Sequence, residues 1–173
     1  FHPAYSEVFL EYGAQRRVRF RPAASCSQAL LKAASAYFDN DGVLREGAFD
    51  GFEQFVRMAR QEDGDVRIYE DALAFVARLR DDARRRQMIQ DQFEGQGGNR
   101  RFAKLLKTNL YPYQREGALF AAKAGRCLLA DDMGLGKTVQ SIAAVEILAQ
   151  CAGVERALVI CPTALKYQWQ QEV

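Results

Sequence analysis

At 173 residues, with 49% hydrophobic and 27% charged side chains, the chain holds apolar material for one ordinary domain and part of a second. No apolar run reaches the roughly 18–20 residues of a bilayer span, so the chain is expected to be soluble, with no membrane partner. A net charge of +2 conceals a division, with residues 39–75 acidic and residues 76–110 basic. Cys26, Cys127, Cys151 and Cys161 stand far apart with one histidine, which argues against a zinc site and for reduced, mostly buried thiols. Phe1 at the start and Val173 inside an amphipathic pattern both read as ends of a fragment.

In chain order, residues 7–12 and 17–21 flank Gly13-Ala14-Gln15 and predict a small β-hairpin, with Val18 and Phe20 alternating against Arg17, Arg19 and Arg21. A helix is expected from Ser27 to Phe38, burying Leu30, Ala33, Ala34 and Tyr37 and ended by Asp39-Asn40-Asp41-Gly42. Phe49, Phe52, Val56 and Ala59 share a face of a second helix, closed by Glu62-Asp63-Gly64-Asp65. The longest helical pattern runs from Tyr69 to Phe93, with Leu73, Val76, Leu79 and Ala83 as its stripe. Its other face supplies much of the basic block, including Arg84, Arg85 and Arg86. That block reads either as a nucleic-acid path or as a solvated helix face docking on the acidic block.

Gly95-Gln96-Gly97-Gly98-Asn99 reads as a linker, dividing an N-terminal region, residues 1–107, from residues 108–173. Beyond it the pattern turns α/β. Pro112 to Ala124 is a helix stopped by Gly125, Arg126 to Ala130 a strand, Lys137 to Ala149 a helix, and Arg156 to Cys161 a second strand before a last helix from Ala164. Strand, loop, helix and strand form the βαβ unit of a parallel sheet. In the last helix Leu165, Trp169 and Val173 recur at i, i+4, i+8 and are expected to bury.

The loop between the first of these strands and its helix carries the chemistry: Asp131, Asp132, Met133, Gly134, Leu135, Gly136, Lys137 and Thr138. Glycines at 134 and 136 let backbone N–H groups converge on one anion at the positive end of the following helix. Lys137 reaches β- and γ-phosphates as a point charge, and the Thr138 hydroxyl completes a Mg²⁺ shell. The generic pattern has glycine where Asp131 stands. Upstream, Gln114 carries an acceptor beside a donor, which matches the N6–H and N7 edge of adenine.

These segments resemble the Swi/Snf family of superfamily-two helicase-like ATPases. The family's nucleotide motif looks like Asp131 to Thr138, including the aspartate that breaks the generic pattern, and its glutamine motif looks like Tyr113 to Gly117. A strand followed by Pro-Thr looks like Val159 to Leu165. The resemblance covers about Leu110 to Val173, and residues 1–107 loosely resemble the N-terminal extension of bacterial members. It implies the front part of a RecA-like P-loop lobe that uses ATP and Mg²⁺ to move on double-stranded DNA. It also implies a second lobe, an acidic motif and an arginine finger lying beyond Val173, hence no hydrolysis by this piece alone. A cytoplasmic, nucleoid-associated location goes with that reading. Thr163 and Lys166 are the candidate DNA-phosphate contacts, Thr163 serving equally as a helix cap. The alternatives are a nucleotide-gated interaction module and an RNA helicase of the related branch. For residues 1–107 a structural or partner-binding role stands beside them.

Overall fold

The computed structural model describes residues 4–62 and 65–173, so Asp63 and Gly64 of the expected second turn lie outside the described residues. The chain is a mixed α/β protein whose sheet is small. It divides into two compact units, Phe1–Asp81 and Asp82–Val173.

In the first unit, β1 (Glu7–Glu11) and β2 (Arg17–Arg21) form the expected antiparallel hairpin, with Val8 opposite Phe20 and Leu10 opposite Val18. The two-residue period turns these four side chains inward while the arginines of β2 stay outside. A short β3 (Arg67–Ile68) adds to β1 in parallel, giving the order β2-β1-β3. Helix α1 (Gln28–Tyr37) starts where the Ser27 hydroxyl accepts the Leu30 N–H at 3.1 Å. The turn after it is set by Asp39, whose carboxylate accepts the N–H groups of Asp41 and Val43. Gly42 has φ +75°, and a Cβ there would overlap the Phe20 carbonyl oxygen. Only glycine fits. Helix α2 (Phe52–Glu62) then presents Phe52, Phe55, Val56 and Ala59 to the hairpin and α1. Helix α3 (Glu70–Ile89) buries Ala72 and Val76 in the same core, and Arg80 donates to Glu53 of the acidic block at 2.7 Å.

The boundary between the units falls within α3. Ala83, expected on the buried stripe, is exposed. The helix passes into a π-helical turn, Gln90–Glu94, and after Gly95-Gln96-Gly97 comes α4 (Gly98–Leu105). What reads as a linker is therefore a tight turn into an additional helix. Gly97 holds φ 107° as the helix cap, and Gly98 sits where a Cβ would overlap the Phe93 carbonyl oxygen. Close contact, rather than looseness, explains the glycines. Phe93, Phe102 and Leu105 share a core with Ala118, Ala122, Ala143, Ala144 and Ile147, so residues 82–107 pack with the second unit instead of the first.

Helix α5 (Pro112–Ala124) ends at Gly125 as expected, and α6 (Lys137–Ala152) follows the glycine loop. Alanines on their facing sides allow the two helices to approach closely. The two expected strands do not form. Residues 126–130 and 154–161 run without a ladder, leaving Leu128, Leu158 and Ile160 exposed by 82%, 86% and 89%. A parallel strand holds only between bonded neighbours and beneath covering helices, and neither segment has a paired neighbour among the described residues. A 3₁₀ turn, Thr163–Leu165, leads into α7 (Lys166–Glu172), where Leu165 and Val173 are exposed and Trp169 is half-buried, contrary to the expected stripe. Of the cysteines only Cys151 is buried, and that burial raises its thiol pKa; Cys127 is exposed. Among the described residues no helix is long and apolar enough to cross a membrane.

Candidate functional site

The first turn of α6 builds the site. Gly134 and Gly136 hold φ +86° and +74°, the left-handed region that lets successive N–H groups point to one side. Helix α6 begins immediately afterwards at Lys137, so the amides of Lys137, Thr138 and Val139 occupy positions that lack an intrahelical acceptor. The first bond of the helix is from Gln140 N to Gly136 O, at 3.0 Å. Three such donors at the positive end of a helix are the arrangement that can receive an anion. The Lys137 ammonium folds over the loop and donates to the carbonyl oxygens of Asp131 (2.8 Å) and Asp132 (2.9 Å). Thr138 is half-buried at the second helical position. Met133 stands 97% exposed at the tip of the loop.

Gln114 reaches this loop from α5, but not as the sequence suggests. It is buried, and both ends of its amide are engaged within the chain: Oε1 accepts the Tyr111 N–H at 3.0 Å and Nε2 donates to Leu135 O at 3.3 Å. A Cβ on Gly136 would lie 2.5 Å from that Nε2 and would displace the amide, while the positive φ there favours glycine.

Gln140 is the residue that sequence reasoning missed. It is fully buried, and its Nε2 donates to Asp131 Oδ2 at 2.7 Å and to Leu135 O at 3.4 Å. The signal was available: Gln140, Ala143, Ala144, Ile147 and Cys151 form one helical stripe in which the glutamine is the sole polar member.

The remaining candidates are not gathered at the loop. Arg85 Nη2 and Arg86 Nε each donate to the Lys123 carbonyl at 3.5 Å, and Arg85 also pairs with Asp82 at 2.8 Å. Both guanidiniums thus sit at the negative end of α5, a position that stabilises cations. A Cβ on Gly125 would stand 2.6 Å from Arg85 Nη2. Arg84 is exposed on α3, and Thr163 and Lys166 are exposed at the start of the C-terminal helical segment. A cleft of about 400 Å³ in the first unit is lined by Phe9, Arg19, Phe38 and Asp41, but Arg19 there is already committed to Glu11 and to the Asp41 carbonyl.

The family model described as the SNF2-related domain matches residues 42–173, most of the chain and the whole of this site. The chain belongs to the SNF2-related domain family. Within that family it is similar to the mouse DNA annealing helicase and endonuclease ZRANB3, 41% identical over 69 residues, or 39% of this chain and 6% of that protein. It is also similar to the SWI/SNF-related matrix-associated actin-dependent regulator of chromatin subfamily A-like protein 1 of Xenopus tropicalis, 45% identical over 67 residues, or 38% and 7%. Protein CHROMATIN REMODELING 25 of Arabidopsis thaliana is 40% identical over 80 residues, or 37% and 9%. The chain therefore spans under a tenth of the length of these relatives. No solved structure matches it.

Proposed function

We propose that this chain is the ATP-binding front of a RecA-like lobe in a motor that moves on double-stranded DNA. The observation that carries the reading is the anion cradle: two glycines at positive φ opening α6, with Lys137 and Thr138 at its first two positions. These residues fit a triphosphate with its Mg²⁺. The amides of the loop would hold the phosphate oxygens, Lys137 would neutralise their charge, and the Thr138 hydroxyl would supply one oxygen to the metal. ATP supplies the phosphoryl group whose transfer to water drives such motors. Membership of the SNF2-related family, and relatives named as a DNA annealing helicase and as chromatin regulators, support DNA as the substrate track.

Gln114 keeps a role in base selection under this reading. Each amide atom has one hydrogen-bonding position beyond those used: a second lone pair on Oε1 and a second N–H on Nε2. Adenine offers N6–H and N7 to that pair, while guanine offers O6 and N7, two acceptors. For DNA, the reading rests on Thr163 and Lys166, because the contacts of Arg85 and Arg86 favour a structural role for that part of the basic block.

Turnover needs Mg²⁺ anchored from a second side, an activated water and an arginine on the developing charge. The Asp131 carboxylate is drawn toward α6 by Gln140, which turns it from that task. We expect the 173-residue chain to bind ATP with Mg²⁺ in preference to GTP and not to hydrolyse it, with or without duplex DNA. A competition titration and a steady-state phosphate-release assay check this. Equal ATP and GTP binding would remove the role of Gln114. Turnover that vanishes in Lys137→Ala would assign the missing carboxylate to Asp131 or Asp132.

A further inference from the structure

Gln140 is fully buried, yet half of its amide goes unsatisfied. Nε2 bonds to Asp131 and Leu135, while Oε1 has no hydrogen-bond partner among the described residues. An orphaned buried acceptor opposes folding, so stability alone does not account for an amide at this place in an alanine-lined interface. Room for it has been made on the opposite helix. At Gly117 of α5 a Cβ would overlap Gln140 Oε1 and stand 2.9 Å from Cδ. The Leu135 carbonyl, meanwhile, receives Gln114 Nε2 as well as Gln140 Nε2. Two glutamines, one from each helix, thus converge on a single carbonyl at the crest of the loop.

We propose that Gln140 is a positioning residue for the phosphate loop: seated against Gly117, it ties the loop's start at Asp131 to its crest at Leu135. The inference rests on the loop being a triphosphate site. The bond to the Asp131 carboxylate is charge-assisted and short, which makes it the stronger of the two ties. With both ends of the segment 131–135 held from α6, and α6 held against α5 through Gly117, the loop keeps its place beside the amides of Lys137, Thr138 and Val139 before any phosphate arrives. That saves ordering the loop on binding. Gln140 itself touches no phosphate; its effect passes through the loop backbone.

The test is calorimetric titration of the full chain with ATP and Mg²⁺, accompanied by thermal melting. Gln140→Met fills the same volume without a donor and removes the orphaned acceptor. It is expected to weaken ATP binding about tenfold or more, as loss of loop registration does, while the melting temperature stays level or rises. Gln140→Glu sets two carboxylates against each other and weakens binding further. Adding Asp131→Asn to Gln140→Glu restores the bond in the reverse direction, Asn Nδ2 donating to the carboxylate, and is expected to recover at least about threefold of the loss. Wild-type affinity in Gln140→Met overturns the positioning role. Should that variant fail to fold, a double variant binding no more tightly than Gln140→Glu overturns it equally, since a space-filling side chain gives no such rescue. Wild-type chain that binds no ATP removes the triphosphate reading instead, and the positioning role with it.

Discussion

Lys137→Ala is expected to reduce ATP binding by about 100-fold or more, the scale on which a lost charge contact at a phosphate acts, with the melting temperature nearly unchanged. The ammonium's own bonds explain the contrast. It donates to two main-chain carbonyls, those of Asp131 and Asp132, at the exposed mouth of the loop, and water can replace it there. A triphosphate carries several negative charges into the same cradle, and neither water nor alanine neutralises them. Titration and thermal melting on the same preparations check both halves. A marked fall in melting temperature with ATP binding retained would make Lys137 a strut of the loop rather than a phosphate ligand.

Phe55→Ala is expected to cost the first unit about 3–5 kcal/mol, the usual range for emptying a buried phenylalanine site. Phe55 is 0% exposed, and its ring lies 5.2 Å from those of Tyr37 and Phe38 and 6.0 Å from those of Phe20 and Phe52. These rings come from β2, α1, the turn after it and α2, so one cavity loosens contacts among four parts of the core at once. Urea unfolding followed by near-ultraviolet circular dichroism reads the change. A loss below about 1 kcal/mol would mean that the cluster repacks freely.

The parts legible in the sequence are those fixed by short-range rules. Alternation in Val18 and Phe20 placed the hairpin, Ser27 and Gly125 marked a helix start and a helix stop, and Gly134 to Thr138 marked a glycine turn opening a helix. What failed depended on partners. Arg126 to Ala130 and Arg156 to Cys161 have the composition of buried strands, but composition does not supply the neighbouring strand that a ladder requires. Gly95 to Asn99 has the composition of a linker, yet Gly97 is a helix cap and Gly98 makes a close backbone contact. Leu165, Trp169 and Val173 have helical spacing, and nothing among the described residues covers them fully.

The same division runs through the candidate site. Gln114 was visible by its distance from the loop, but its internal bonds to Tyr111 and Leu135 were not. Gln140 was hidden because its spacing placed it in an apolar stripe, where only the fold shows that Gly117 receives its amide. For Arg85 and Arg86, charge alone could not separate a DNA path from a helix face docking on the acidic block, and neither reading included a helix cap. The position of the Lys123 carbonyl favours the cap.

The central claim is that ATP seats on the loop opening α6. Amide hydrogen exchange of the chain, with and without ATP and Mg²⁺, tests it directly, because the amides of Lys137, Thr138 and Val139 are proposed to bind phosphate. Added nucleotide is expected to slow exchange first and most strongly across residues 131–140, and Lys137→Ala to abolish the effect. Slowed exchange confined to the first unit, or exchange at the loop unaltered by saturating ATP, would contradict it.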